Sequence, residues 1–301
     1  MSTDHQSTKA ILYAFAANLG IALVKTLAAF WSGSGAMLAE AIHSFADSGN
    51  QVLLWVGLKR SAKAATDKHP LGYGRESYIW SMMVAMILFS VGGVFSIYEG
   101  VLRWHDRQGL ENMGLAILVL LVAIGLETFS LRGALAALAQ EKGERTLWQW
   151  FKETHSSELM VVTGEDIAAL AGLVIALISL LLAQVTGNPL FDALGSIAIG
   201  VLLVVVAVLI GVQVHSLLLG ETDPATQVQI IEFLSQQKAV VTVFNVWAIH
   251  QGRQVVVSIK AQLNGELTVA QAVNLTNQWE REIKQRYERV GWIFFELDDQ
   301  D

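Results

Sequence analysis

Long apolar runs separated by short polar segments fill the first two thirds of the chain, and this pattern predicts membrane-spanning helices. Residues 77–98, 167–191 and 193–220 contain no Asp, Glu, Lys or Arg. At about 1.5 Å per residue, each run is long enough as a helix to cross a hydrocarbon core about 30 Å thick. The whole pattern predicts six spans, at Ala10–Trp31, Ala36–Leu58, Tyr78–Val101, Met113–Leu131, Ser157–Val185 and Leu190–Leu219.

The pattern changes after Gly220, where charged residues become frequent and apolar runs become short. It predicts a helix at Ala225–Lys238, strands at Val241–His250 and Gln254–Leu263, a helix at Thr268–Arg289 and a strand at Trp292–Leu297. The order αββαβ is typical of a ferredoxin-like sheet with two helices on one face. We therefore predict an all-α six-helix transmembrane domain over residues 1–220 and an α+β C-terminal domain over residues 221–301.

Composition supports a membrane protein and excludes several other classes. Hydrophobic residues make up 53% of the 301 residues and charged residues only 16%, whereas soluble domains contain about 25% charged residues. A chain this apolar is neither an ordinary soluble globule nor disordered. The net charge of −7 argues against a nucleic-acid partner, and the absence of cysteine excludes disulfides and thiolate metal sites. The polar start of the chain does not resemble a secretory signal.

Basic residues in the predicted loops indicate how the spans are oriented. The second-to-third and fourth-to-fifth connections hold nine Lys and Arg residues, whereas the connections on the other side hold only two. Because basic loops remain on the cytoplasmic side, six spans with this bias place both termini in the cytoplasm. In a bacterium the protein would lie in the inner, or plasma, membrane.

A few ionisable side chains interrupt the apolar spans, and these are the best indicators of function because a charge at mid-membrane costs several kcal/mol. His43 and Asp47 are four residues apart and lie on one helix face. Imidazole and carboxylate together suit Zn²⁺ and similar divalent cations. The fifth span adds Glu165 and Asp166. Adjacent helix positions point about 100° apart, so we expect only one to face the same cavity, and we favour Asp166.

Each of these residues also has a purely structural interpretation. His43 and Asp47 can form a hydrogen-bonded pair that joins helices, and Glu165 can have a packing or proton-sharing role. For Glu127, Asn18 and Lys25 we favour hydrogen bonding across the bundle, or snorkelling in the case of Lys25. A cluster of one histidine and three carboxyls nevertheless repels itself unless it takes up a cation or protons.

Five strings, in order along the chain, resemble the cation diffusion facilitator family of divalent-cation/proton antiporters. They are residues 32–38 (SGSGAML), 39–51 (AEAIHSFADSGNQ), 69–75 (HPLGYGR), 165–170 (EDIAAL) and 192–196 (DALGS). The Glu-Asp pair in the fifth span is similar to the branch that includes the human zinc transporter 9 group. The resemblance implies a homodimer in the bilayer that exports a divalent cation, most commonly Zn²⁺, in exchange for H⁺, with no prosthetic group.

The resemblance also implies a transport site made by His43, Asp47 and Asp166. Zinc-exporting members usually carry a histidine four residues before the fifth-span aspartate, but this chain has Val162 there. The fourth ligand therefore stays open between Glu165 and water. The metal is open as well: zinc is the first choice, and Mn²⁺, Fe²⁺, Co²⁺ and Cd²⁺ are alternatives.

Secondary sites of the family match less well. Asp67 and His69 are candidate ligands of a loop site, but Tyr73 stands where a second histidine is expected. In the tail, the candidates are His250, Glu296 and Asp298, although an acidic dimerisation domain that binds no metal is the simpler interpretation. A further expectation is that Arg75 pairs with a carboxylate near the end of the sixth span, such as Glu221, to hold the dimer.

Two other classes compete with the metal transporter: an organic-cation/proton antiporter that uses the same carboxyls, and a membrane sensor or scaffold. An enzyme is not expected, because the sequence has no phosphate-binding glycine loop, nucleophile elbow or zinc-protease motif.

Overall fold

The computed structural model describes residues 18–105 and 112–300. The helices that correspond to the predicted spans are α1 (Asn18–Ser32), α2 (Gly35–Ser61), α3 (Glu76–His105), α4 (Met113–Lys142), α6 (Ser157–Thr186) and α7 (Leu190–Leu219). Between α4 and α6 lies the short helix α5, Leu147–Glu153. The predicted start of the first span, residues 10–17, lies outside the described residues.

Within the described ranges, four helices are long and apolar enough to cross a membrane: α3, the Met113–Ala136 part of α4, α6 and α7. The predicted bounds of the last two agree with the structure to within one residue. The fourth helix differs, because it continues eleven residues beyond the predicted end at Leu131 to Lys142. Ala, Leu and Gln are strong helix formers, so the helix extends past its apolar part. The helix α5 was not predicted; a capping box of Thr146 and Gln149 begins it.

Asp192 at the start of α7 fixes the start of α2, the helix that carries His43 and Asp47. Its carboxylate accepts hydrogen bonds from the amides of Gly35 (2.6 Å) and Ala36 (3.4 Å) and from the hydroxyl of Ser34 (2.5 Å). The first amides of a helix have no intrahelical partner, and a carboxylate also interacts favourably with the helix dipole. This cap comes from another helix and joins two of the strings that resemble the family.

The helix α3 packs closely against α7 through glycines and contains a π-helical segment at Leu88–Val94. A Cβ atom at Gly200 would lie 2.7 Å from the carbonyl oxygen of Gly93, and one at Gly100 would lie 2.8 Å from that of Ala193. Small residues at these crossings let the backbones approach, as in other membrane helix pairs.

The chain from Glu221 onward contains the predicted αββαβ elements in the predicted order. They are α8 (Pro224–Ser235), β1 (Val240–Gln251), β2 (Gln254–Leu263), α9 (Val269–Arg286) and β3 (Val290–Leu297). β1 and β2 are antiparallel, and β2 and β3 are parallel. Ile230 and Phe233 of α8 and Trp279 of α9 pack with buried strand residues in one core, so both helices cover the same face. A capping box of Thr268 and Gln271 begins α9.

The chain divides into two compact units: one contains the residues up to Gly57 and Ile79–Val214, and the other contains Leu58–Tyr78 and the chain from His215 onward. The connection between α2 and α3 therefore belongs to the same unit as the tail. In that unit, the Tyr78 hydroxyl donates a hydrogen bond to the carbonyl oxygen of Gly252 (3.1 Å), in the turn between β1 and β2. The division at 220/221 stays a prediction.

Gly74 makes the closest backbone approach in this second unit. A Cβ atom there would overlap the backbone of Gln251 in the β1–β2 turn. We expect Gly74→Ala to destabilise the unit by about 1–3 kcal/mol, because a main chain cannot move aside as a flexible side chain can. The expected result is a lower Tm for the purified chain in detergent.

Gly265→Ala is the matched control, because its added Cβ would meet nothing within 4 Å. Equal Tm values for Gly74→Ala and Gly265→Ala would contradict the importance of this approach.

Candidate cation site

The first half of the site lies on α2, where His43, Asp47 and Asn50 share a face. His43 is fully buried, and its Nδ1 atom lies 3.4 Å from Oδ1 of Asp47. Neither ring nitrogen of His43 makes a hydrogen bond to any residue that the structure describes. A neutral imidazole has one free lone pair, and the neighbouring carboxylate oxygen is a second donor atom for a cation.

The second half lies on α6, where Glu165 is buried and Asp166 is half-buried. The Nδ2 atom of Asn50 donates a hydrogen bond to Oε1 of Glu165 (2.6 Å), which joins α2 to α6. This contact holds one oxygen of Glu165 and leaves the other to interact elsewhere.

A cavity of about 30 Å³ lies between α1, α2, α4 and α6. This volume accommodates a small ion with one or two water molecules. Four carboxylates line it, from Asp47, Glu127, Glu165 and Asp166. The described lining also includes Asn18, Ile21, Ser44, Gln51, Ser130 and Val162. His43 is not among these lining residues.

The expectation that only one of Glu165 and Asp166 faces the cavity is wrong, because both line it. Their side chains leave α6 about 100° apart, but the cavity touches several helices, and the longer Glu165 side chain reaches it from the Asn50 side. The preferred interpretation of Glu127, a hydrogen bond across the bundle, also missed its place on the cavity wall. The signal was its position as the one acidic residue inside the predicted fourth span.

Sequence reasoning gave Asn50 no role, although the signal was present. Asn50 is seven residues after His43, two helical turns, and so lies on the same face. Of the two interpretations of Lys25, hydrogen bonding across the bundle is confirmed, whereas snorkelling is wrong. Its ammonium group contacts Glu40 and Ser44 on α2, and its side chain is buried.

The four acids are close enough to share a cavity without yet forming a coordination sphere. Among the residues the structure describes, no group of three or more His, Asp or Glu side chains has the spacing of a metal site. Buried carboxylates in a small volume repel one another, so the cavity favours the uptake of positive charge. Binding of a cation by several of them requires the side chains to turn toward one point.

The structure does not assemble the predicted loop site. Asp67 and His69 are both exposed, and the His69 ring stacks edge-on against Tyr73 with the centroids 4.6 Å apart. His69 and Thr66 close a tight turn through their backbone atoms.

The predicted tail ligands are also separated. His250 pairs with Val255 on β2, near the start of β3, whereas Glu296 lies near the end of β3 and Asp298 follows it. His250 is buried with its Nε2 atom 3.7 Å from Asp223. Asp298 binds the Lys260 ammonium group (3.0 Å), and this hydrogen bond lowers the pKa of the carboxyl.

The predicted ion pair between Arg75 and Glu221 is not formed in the described chain. Arg75 instead donates to the carbonyl oxygen of Leu218 (3.4 Å) at the end of α7. The free carbonyls and the negative dipole end of a helix attract a cation, which accounts for this choice.

Comparison with known proteins places the chain in a family. The model of the cation efflux transmembrane domain matches residues 11–219. Metal tolerance protein C4 of Arabidopsis thaliana is 32% identical over 245 residues, which are 80% of this chain and 54% of that protein. The mitochondrial proton-coupled zinc antiporter SLC30A9 of Mus musculus is 33% identical over 248 residues, 81% of this chain and 44% of that protein. The human SLC30A9 protein is 32% identical over 248 residues, with the same coverage.

The chain therefore belongs to the cation efflux, or cation diffusion facilitator, family, as its sequence strings indicated. It spans about half the length of these curated relatives.

The contact between Asn50 and Glu165 can be tested directly. We expect Asn50→Ala to lower the Tm in detergent, because it leaves a buried carboxylate without its donor, at a cost of about 1–3 kcal/mol. Asn50→Ala combined with Glu165→Gln should recover part of this loss, because a neutral amide is cheaper to bury than a carboxylate.

The neighbouring variant Gly49→Ala is the control, since its added Cβ meets nothing within 4 Å. If Asn50→Ala and Gly49→Ala have the same Tm, the hydrogen bond between Asn50 and Glu165 does not contribute to stability.

Proposed function

We propose that this protein transports a divalent metal cation across a membrane in exchange for protons. The observation that carries the proposal is the cavity, where four carboxylates from α2, α4 and α6 surround about 30 Å³. Acids inside apolar helices are costly and commonly mark the path of an ion or a proton. Membership of the cation efflux family supports the same conclusion.

In this proposal His43, Asp47 and Asp166 supply the ligands of the transported ion, and Glu165 is the fourth. The hydrogen bond from Asn50 orients Glu165, because residues that hydrogen-bond to a metal ligand commonly fix its orientation. His43 reaches the ion when its ring turns toward the cavity from its place beside Asp47. Glu127 adds negative charge from α4.

Protons are the natural counter-substrate because they compete with the metal for the same atoms. A metal ion binds neutral imidazole and ionised carboxylate, so its arrival displaces protons and its departure allows them to return. Either occupant quenches the repulsion among the acids. We propose that this exchange accompanies alternating access, in which the cavity opens to one side of the membrane at a time.

The ion is a divalent metal cation, with Zn²⁺ as the first choice. One imidazole and three carboxylates form a nitrogen and oxygen set, which also suits Mn²⁺, Fe²⁺ and Co²⁺, and Cd²⁺ is a further alternative. The proton-coupled zinc antiporters among the relatives support zinc. A cavity of about 30 Å³ disfavours an organic cation, which requires several times that volume.

We also propose a membrane topology, a location for the tail and an oligomeric state. Six helices, α1–α4, α6 and α7, span the membrane with both termini in the cytoplasm. The unit from about residue 221 is a cytoplasmic, ferredoxin-like domain, and the working protein is a homodimer.

Transport can be measured in proteoliposomes that contain a zinc-sensitive dye and an acidic lumen. Protons leaving the lumen should drive Zn²⁺ inward through the wild-type protein, and collapse of the pH gradient should stop uptake. His43→Ala and Asp47→Ala should each reduce the initial rate at least about tenfold, because each removes a ligand atom.

Glu266→Ala, which removes an exposed acid in the tail, should transport like the wild type. Wild-type rates in both ligand variants would show that the site assignment is wrong, and the absence of uptake for Zn²⁺ and the other divalent metals would reject the transporter.

This chain has Val162 where zinc-exporting members of the family usually have histidine, and restoring the histidine is a gain-of-function test. Val162 lines the cavity four residues before Asp166, so Val162→His places an imidazole on the wall where zinc-exporting members have one. We expect tighter Zn²⁺ binding, by about tenfold or more, together with a larger preference for Zn²⁺ over Mn²⁺, because nitrogen ligands favour zinc.

Val162→Ala separates the new ligand from the change in side-chain size. Unchanged Zn²⁺ affinity in a well-folded Val162→His variant would contradict the location of the site beside this residue.

A further inference from the structure

A second group of buried charges lies beside the cavity, and the proposed transport does not use it. The Lys25 ammonium group lies 3.3 Å from Oε2 of Glu40 and 2.8 Å from the hydroxyl of Ser44. Both charged side chains are almost completely buried. The pair joins α1 to α2 and places an ammonium and a carboxyl group side by side in an apolar bundle.

Ser44 connects this pair to the cation cavity. Its side chain accepts the hydrogen bond from Lys25 and also lines the cavity wall. No lysine or arginine occurs among the described residues that line the cavity. The Lys25 ammonium group is therefore separated from the cavity by the Ser44 side chain that it contacts.

Glu40 lies one helical turn before His43 and Ser44, on the side of the pair that packs against α6. Its Oε1 atom makes no hydrogen bond to any described residue. Gly172 of α6 leaves room for this oxygen, since a Cβ atom there would overlap it. Lys25 is thus the principal partner of Glu40, and Glu40 is the group that offsets the Lys25 charge.

Stability alone does not account for such a pair. The free energy needed to remove two charges from water is about as large as the free energy gained from their attraction. Well-packed apolar residues in their place often give a protein of equal stability. The pair can, however, act electrostatically on an ion bound nearby. In a medium of low dielectric constant, a fixed charge acts on a divalent cation several ångströms away with little screening.

We propose that the Lys25–Glu40 pair sets the affinity of the cation site. Lys25 repels the bound cation and so keeps it releasable, whereas Glu40 offsets part of that repulsion. A site lined by four carboxylates without this opposing charge would hold a divalent ion too tightly for rapid exchange. This inference rests on the proposed function and assigns both residues as affinity-determining rather than as ligands.

The proposal predicts shifts of opposite sign for the two partners. Lys25→Met removes the repelling charge at similar length, so Zn²⁺ should bind about ten- to a hundredfold more tightly. Glu40→Gln leaves the Lys25 charge without its offset, so binding should weaken by a similar factor. The double variant Lys25→Met/Glu40→Gln should return to within about threefold of the wild type.

The experiment is a competition titration of Zn²⁺ with a chromophoric chelator, on the purified full chain in detergent at one fixed pH. Lys25→Arg keeps the charge and should bind Zn²⁺ like the wild type. Leu27→Met, at an exposed position of the same helix, controls for methionine in α1. Thermal unfolding of each variant shows whether it is folded.

The pattern of signs separates this proposal from a structural role. A pair that only holds α1 to α2 would weaken Zn²⁺ binding, or leave it unchanged, in both single variants. That result would overturn the inference while the proposed function stands, provided that Asp47→Ala abolishes binding. If the wild-type chain binds neither Zn²⁺ nor any other divalent metal, the proposed function fails and the inference fails with it.

Discussion

The cost of a charge in a low-dielectric bundle is the constraint on which the rest of this structure depends. A buried ionised carboxylate must have a cation, hydrogen-bond donors or protons close to it. Three acids of the helical unit satisfy this requirement inside the protein: Glu40 through Lys25, Asp192 through the start of α2, and Glu165 in part through Asn50. Around the cavity the requirement is only partly met, and that deficit is the physical basis of the proposed cation binding.

The same constraint explains how α2 is held in place. The amides at its first turn would be unsatisfied inside a membrane, and the Asp192 carboxylate would be too costly there alone. Together they form a non-local cap in which Ser34 also takes part. The helix that carries His43 and Asp47 is thereby tied to α7 at its start and to α6 through Asn50. A site made from separate helices needs such ties, because small displacements change the distances between donor atoms.

The second unit is instead built around a conventional hydrophobic core. Its core comes from alternate strand residues covered by α8 and α9, and Gly74 and Gly252 allow two backbones to approach closely. The 58–78 connection belongs to this unit through the contacts of Gly74 and Tyr78 with the β1–β2 turn. The chain segment that follows α2 is therefore part of the unit that contains the tail.

The sequence by itself determined the elements and much of the chemistry. Apolar runs located α6 and α7 almost to the residue, since burial along a whole helix leaves a continuous signal. Period-two alternation and capping residues located the tail elements. Four-residue spacing placed His43 beside Asp47, because neighbours on one helix face are fixed by the helix geometry.

Only the tertiary structure decided which residues from different helices meet. It brought Glu127, Glu165 and Asp166 to the wall of one cavity, and it paired Lys25 with Glu40. It also kept His250 apart from Glu296, although both lie in one small sheet. The physical reason is that helix periodicity fixes the angles within one helix, whereas the rotation of each helix relative to its neighbours follows from packing and from the pairing of buried charges.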